Sequence, residues 1–180
     1  MLLNPEGSLE LNLWEDRRDF SSLPLKEFKY KRWDWAYEQG VDKSVRPILD
    51  KMFDLASDES GSYKWLVDYK VRDLKAGECG CPLDFWHLDV VENPWHDSKP
   101  DIHFLFSTEI GTEFITTPMS ITEEDVTFKG VVERGQGFHV VQAAPNTISK
   151  YGRFNLHRGP RVTKDCRRML LRLTLTEVIK

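Results

Sequence analysis

Residues 63–72, YKWLVDYKVR, decide the fold. Apolar and aromatic side chains at the odd positions of this stretch alternate with charged side chains at most of the even positions. Because successive side chains of a strand point to opposite faces, this period of two predicts a half-buried β-strand. Residues 43–57, just upstream, instead have apolar residues mostly on one helical face and Pro47 in the first turn, which predicts a helix.

Downstream of this stretch, short turn-rich gaps separate several further segments with strand-like patterns. Seven or eight strands late in one chain are typical of a sandwich, a jelly roll or a barrel. We therefore expect a single mostly β domain over residues 1–180, in which residues 1–62 form an N-terminal α+β preamble with one helix. The further strands are predicted at residues 84–91, 101–107, 111–117, 126–132, 137–143, 152–157 and 166–176.

Basic and aromatic side chains are interleaved within the preamble, over residues 26–35. Such interleaving can stack on and clamp a single-stranded nucleic acid. It is also typical of an edge strand that turns its aromatic side chains inward and its charges outward. The chain has 25 Lys and Arg against 29 Asp and Glu, a net charge of −4. This balance favours the edge strand and disfavours a nucleic-acid partner, without excluding one.

The composition also bears on the compartment and on membranes. No stretch approaches the ~20 apolar residues of a membrane span, and residues 1–10 do not resemble a secretory signal. The three cysteines, Cys79, Cys81 and Cys166, are too few and too unevenly spaced for a disulfide framework. We therefore expect a protein of the reducing cytoplasm with no membrane partner.

Two histidine-containing segments are candidates for chemistry. In a strand, His87 and Asp89 would share a face and could reach one metal ion together, whereas a surface pair at a strand end is the plainer interpretation. Trp86 and Leu88 would then lie on the opposite face, where we expect them to pack beneath the helix of residues 43–57. His157 belongs to a second segment, residues 153–160, which a Gly-Pro pair ends.

The last predicted strand carries three arginines. Its odd positions are apolar after Arg167, so we expect Arg167 to point inward, and Arg168 and Arg172 to point to solvent. An inward arginine needs a carboxylate or phosphate partner, which can belong to the protein or to a ligand.

The order of these features, a His-x-Asp pair followed by a distal histidine and then an arginine, resembles the iron(II)- and 2-oxoglutarate-dependent dioxygenases. Residues 104–115, FLFSTEIGTEFI, and residues 156–160, LHRGP, resemble segments of the phytanoyl-hydroxylase-like and small uncharacterised dioxygenase-like branches. The resemblance covers residues 63–176. It implies a double-stranded β-helix, a jelly-roll or cupin-like barrel, over residues 63–180.

The resemblance also implies roles for individual residues. His87, Asp89 and His157 would hold iron(II), as two histidines and one carboxylate do in that superfamily. Arg167 would bind the far carboxylate of 2-oxoglutarate. The enzyme would hydroxylate an unidentified small molecule or protein side chain. Trp95 and His96, in a turn-rich loop, are candidates for substrate contact, although most loop residues are only connectors.

Two other functions stay open at this stage. One is a cupin-like metal protein with the same three ligands and no 2-oxoglutarate, which an outward-pointing Arg167 would favour. The other is a non-catalytic jelly-roll protein with a structural or interaction role, such as a viral particle protein, because a fold does not fix a function.

Overall fold

A computed structural model describes residues 1–81, 85–89, 100–122, 124–125, 128–134 and 137–177. The fold is mostly β with a few helices, as predicted, and every pair of strands within it is antiparallel. In the described part of the chain, no helix combines the length and the apolar character needed to cross a membrane.

The elements follow one another along the chain with most of the strands after residue 62. The strands are β1 (Leu2–Leu3), β2 (Glu10–Glu15), β3 (Lys26–Arg32), β4 (Tyr63–Leu74), β5 (Ile102–Ser107), β6 (Glu113–Ile115), β7 (Met119–Ser120), β8 (Val140–Gln142), β9 (Thr147–Gly152), β10 (His157–Arg158) and β11 (Cys166–Glu177). The helices are α1 (Trp33–Trp35), α2 (Arg46–Ala56) and α3 (Phe128–Arg134), with a π-helical turn at Ala36–Gly40 and a 3-10 turn at Lys43–Val45.

A six-stranded sheet in the order β2-β9-β5-β11-β4-β3 forms the main layer. Its two longest strands, β4 and β11, pair along their whole length from Leu74 opposite Cys166 to Tyr63 opposite Glu177. Two strands of the preamble complete the sheet, and β3 lies at its edge next to β4. β3 is therefore the edge strand predicted within residues 26–35, but of the aromatic side chains in this segment only Phe28 is buried, whereas Tyr30, Trp33 and Trp35 are exposed.

A smaller sheet has the order β10-β6-β8, and a two-stranded sheet pairs β1 with β7. An isolated antiparallel bridge between His87 and His157 adds a further chain segment beside β10. The chain thus passes from β4 in the main sheet to His87 beside the smaller one, and returns to the main sheet at β5. From β5 the chain crosses to β6 and β8 of the smaller sheet and returns to the main sheet at β9. It then crosses to β10 of the smaller sheet and returns to the main sheet at β11. The described strands do not close into a barrel.

The predicted helix is confirmed as α2, which packs on one face of the main sheet. Ile48, Leu49 and Met52 are fully buried there against the odd-numbered side chains of β11, such as Leu171 and Leu173. Burying a side chain of this size stabilises the fold by about 1.5–3 kcal/mol, so the contacts between α2 and this face of the sheet are strong. The opposite face of β11 is therefore the one available to a site.

Three predictions about the second half of the chain are wrong. Of the strand predicted at residues 126–132, residues 126–127 lie outside the described residues and residues 128–132 belong to α3, where Val131 and Val132 pack in one cluster. Residues 152–157 contain the end of β9, a turn and the start of β10. Trp86 and Leu88 pack in a cluster around Ile115, Val132 and Leu156, not beneath α2.

Candidate metal centre

The three side chains predicted as ligands converge. Nitrogen atoms of His87 and His157 and a carboxylate oxygen of Asp89 all lie within 4.8 Å of one another. The bridge between the backbones of His87 and His157 brings the two rings together, with centroids 4.4 Å apart. Nε2 of His157 lies 3.0 Å from Oδ2 of Asp89, and Nε2 of His87 lies 3.9 Å from Oδ1.

Both histidines are oriented by their own backbone. Nδ1 of His87 lies 2.9 Å from the carbonyl oxygen of Phe85, and Nδ1 of His157 lies 3.0 Å from that of Asn155. A carbonyl oxygen only accepts hydrogen bonds, so Nδ1 carries the proton and donates in both rings. In the neutral ring, each Nε2 is then an unprotonated acceptor that faces the centre. Burial, and next the proximity of His157, lower the pKa of His87 and favour this neutral form.

Two side chains hold the carboxylate of Asp89. The Tyr151 hydroxyl donates to Oδ2 at 2.6 Å, and the Arg172 guanidinium donates to the same oxygen. Burial raises the pKa of Asp89, but the positive charges of a protonated His157 and of Arg172 outweigh burial and hold this pKa well below its usual range. When His157 is neutral, as a metal ligand has to be, the charge of Arg172 still favours the carboxylate form. Burial and the neighbouring carboxylate raise the pKa of Tyr151 well above its usual value, so the hydroxyl keeps the proton that it donates.

The strand register aligns a supporting layer behind these groups. Asp68 on β4 lies directly opposite Arg172 on β11 and binds its guanidinium. His103 on β5 lies opposite Tyr151 on β9 and stacks on it at 4.8 Å. The ring of His103 reaches the backbone carbonyl of Asp89 at 3.3 Å, and burial lowers its pKa to about 4. Asp89 is thus fixed through both its side chain and its backbone.

Arg167 lies on the apolar face of β11, as predicted, but the prediction that Arg168 and Arg172 point to solvent is wrong. Arg167 binds Asp73 with two hydrogen bonds of 2.7 and 2.8 Å near the surface, on the same face of β11 as the apolar core residue Met169. Arg168 and Arg172 are on the other face, where Arg168 is buried and the side chain of Arg172 is 13% exposed, and both line the cavity beside the three converging side chains. The direction was misjudged because the odd positions of β11 pack on α2, and the site uses the even ones.

Arg168 has the features of an anion-binding group. Its side chain is buried, its Nη2 donates to the carbonyl oxygen of Ile110 at 3.2 Å, and its Nε has no hydrogen-bond partner in the described structure. No carboxylate of the described residues forms an ion pair with it. Gly80 lies so close that a Cβ there would come within 2.4 Å of Nη1. A buried guanidinium without a carboxylate partner is costly, and an anionic ligand would offset that cost.

A cavity of about 210 Å³ joins Arg168 to His87, Asp89 and His157. Trp95 and His96, predicted to contact substrate, lie outside the described residues. The residues that sequence reasoning missed here are Asp68, His103, Tyr151, Arg168 and Arg172. The alternation along residues 166–176 was the signal that could have identified Arg168 and Arg172, once the face covered by α2 was known.

Comparison with known proteins gives little beyond this geometry. No protein-family model and no curated protein matches the sequence. Among solved structures, the chain is similar to two crystal structures of EvdO2 from Micromonospora carbonacea var. aurantiaca, one of them complexed with 2-oxoglutarate. Both have a TM-score of 0.46 and 12% identity, and the match covers 87% of this chain and 70% of that chain. These values are too low to assign a function, which has to be judged from the residues of the site.

Proposed function

We propose that the protein is a non-haem iron(II) oxygenase that uses 2-oxoglutarate to hydroxylate a small molecule or a protein side chain. The observation that carries this proposal is the convergence of His87, Asp89 and His157 within 4.8 Å. Two imidazoles and one carboxylate on one side of an ion are the ligand set typical of oxygen-activating iron(II), because they leave coordination positions for other ligands.

The surroundings of the three side chains fit a metal ion. Both histidines donate through Nδ1 to a backbone carbonyl, which is the usual way in which a protein fixes a metal-binding ring. Asp89 presents Oδ1 toward His87 while Tyr151 and Arg172 hold Oδ2. Ligating carboxylates are commonly held in this manner by hydrogen bonds. The low pKa of Asp89 keeps the ligand anionic at neutral pH.

We assign the cosubstrate carboxylate to Arg168 rather than to Arg167. Arg168 lines the same cavity as the three ligands and has no carboxylate partner among the described residues, whereas Arg167 is bound to Asp73 on the other face. A guanidinium can grip a carboxylate with two parallel hydrogen bonds. This assignment also weakens the cupin-like alternative. Arg167 points away from the metal centre, but its neighbour Arg168 supplies the arginine that the cosubstrate requires.

The strand connections support the double-stranded β-helix. The chain alternates between the main sheet and the smaller sheet, in the order β4, His87, β5, β6 and β8, β9, β10 and β11. Two layers wound in this alternating way are typical of a jelly roll. The site would then lie between the layers, with His87 and His157 from one and Arg168 and Arg172 from the other.

The residues of the site would divide the work between them. When bound, iron and 2-oxoglutarate would activate dioxygen, which is the oxidant: 2-oxoglutarate would supply two electrons as it is converted to succinate and CO2, and the substrate C–H bond would supply the other two as it is hydroxylated. Arg168 would orient the cosubstrate, and Tyr151 and Arg172 would keep Asp89 in position. Phe114, whose ring lies 5.8 Å from that of His157, would help to exclude water from the centre.

Two neighbouring arginines make a matched test. With iron(II) loaded in the absence of oxygen, 2-oxoglutarate binding is measured by the metal-to-ligand absorption band. Arg168→Gln should weaken binding by about 2–5 kcal/mol, the usual cost of truncating one partner of a buried charge pair. Arg167→Gln, which alters a surface ion pair, should leave binding unchanged. Equal affinity in both variants, or a loss confined to Arg167→Gln, would contradict the assignment.

A further inference from the structure

Two lysines extend the row of basic side chains away from the metal centre. On β4, Lys70 lies opposite Leu170, on the face that carries Asp68 and the site. Lys29, from the edge strand β3, lines the same cavity. From β11 outward, this face carries Arg168 and then Lys70, whose direct partner on β3 is Glu27, and Lys29 lies two residues beyond Glu27.

A bulge in β3 brings Lys29 to the cavity. The pairing of β3 with β4 shifts register between Phe28 and Lys31, and Tyr30 takes a left-handed φ of 50°. Such a φ is uncommon for a residue other than glycine, and bulges often redirect side chains next to functional sites. The N–H of Tyr30 donates to Asp68 at 2.6 Å, and its ring lies 5.9 Å from the Arg172 guanidinium. The supporting layer of the metal centre thus anchors the bulge.

The nearby carboxylates are bound to other groups. Asp68 and Asp89 both bind Arg172, and Glu27 binds Arg72 through two hydrogen bonds. Among the described residues, no carboxylate lies within ion-pair distance of Lys29 or Lys70. The cavity lining therefore has an excess of positive charge that the described part of the protein does not neutralise.

Lys70 is half-buried in this position. Burial, followed by the charge of Lys29, lowers its pKa, although Cys81 and Glu27, which lies directly opposite Lys70 on β3, act in the other direction. The described protein gains no ion pair in return for the cost of this burial. An anionic ligand that binds both lysines would offset it.

We propose that Lys70 and Lys29 bind a carboxylate or phosphate group of the primary substrate, which is therefore a small organic anion. This inference rests on the proposed function, in which Arg168 is occupied by the cosubstrate and the lysines are left for a second anion. Because 2-oxoglutarate bound to Arg168 would occupy part of the cavity of about 210 Å³, the remaining space suits a small acid better than a bulky ligand.

Inorganic phosphate and acetate are the probes, since they represent the two chemical forms of such a group. Their binding is measured by calorimetry in two arms: the metal-free chain, and the chain loaded with zinc and saturated with 2-oxoglutarate. Lys70→Gln is compared with Lys64→Gln, an exposed lysine on the same strand. We expect at least one probe to bind in both arms and Lys70→Gln to weaken it about tenfold, as for one lost charged hydrogen bond. Lys64→Gln should have no effect.

The affinity for 2-oxoglutarate is measured in the same variants. An unchanged affinity in Lys70→Gln supports a separate anion site, and the stronger probe identifies the form of the group. Probe binding that 2-oxoglutarate abolishes, or that both lysine variants weaken equally, would overturn the proposal, as would no binding to the wild type. If 2-oxoglutarate itself fails to bind, the proposed function fails, while the metal-free arm still tests whether Lys70 binds an anion. Unchanged melting temperatures show that the variants are folded.

Discussion

Arg172 bridges two carboxylates, and its replacement is a direct test of how the site is held together. Its guanidinium binds Asp68 on the neighbouring strand and Asp89 at the centre, and its side chain is 13% exposed. The side chains of the two carboxylates are only 3% and 17% exposed. Arg172→Gln would leave two buried negative charges facing each other.

The expected cost follows from this burial. Removing one partner of a buried ion pair typically costs about 3–5 kcal/mol, because the remaining charge is left unpaired. Arg167→Gln on the same strand is the control. Its partner Asp73 has a side chain 57% exposed, so this pair should contribute no more than about 1 kcal/mol.

Urea unfolding of the metal-free protein measures both free energies. The double variant Asp68→Asn/Arg172→Gln should recover part of the loss, since it removes one of the two unpaired carboxylates. Equal losses for Arg172→Gln and Arg167→Gln would refute the reasoning, as would a double variant less stable than Arg172→Gln alone.

Two further predictions concern packing and pH. Gly111→Ala would place a Cβ 1.9 Å from the carbonyl oxygen of Ala143, so its free energy of unfolding, measured in urea, should fall by at least about 1–3 kcal/mol. Gly152→Ala is the control and should be tolerated, because no atom would lie closer than 3.7 Å to its Cβ. The pKa of His103 is lowered from 6.5 to about 4. Between about pH 4 and pH 6.5, His103 is therefore protonated in the unfolded chain and neutral in the folded chain. The free energy of unfolding should therefore fall as the pH drops from 6.5 toward 4, and this slope should be shallower in His103→Gln. A slope that is the same in both proteins would contradict the assignment to His103.

The sequence predicted elements best where one face is clearly buried. Residues 63–72 alternate in polarity, and β4 forms there, while the apolar face of residues 43–57 becomes α2. The valines of α3 misled the assignment because β-branched residues favour strands. Only tertiary packing could show that this segment is helical, with Val132 buried against Ile115 and Leu156.

The site shows the same division between local pattern and tertiary context. The spacing of His87 and Asp89 predicted that the two side chains share a face. The distal His157 lies beside them because of an antiparallel backbone bridge to His87, which the sequence did not predict. For β11, both faces contain apolar residues, so parity alone could not tell which face meets the site. A one-residue error in such a choice exchanges Arg167 for Arg168.

Iron(II) binding is the measurement that tests the central claim most directly. Equilibrium dialysis in the absence of oxygen should give about one iron(II) per wild-type chain. His87→Ala, Asp89→Ala and His157→Ala should each abolish that binding while the chain stays folded, and His139→Ala, an exposed histidine bonded to Thr116, should not. A wild-type chain that binds no iron, or three site variants that bind it as the wild type does, would contradict a metal centre at these residues.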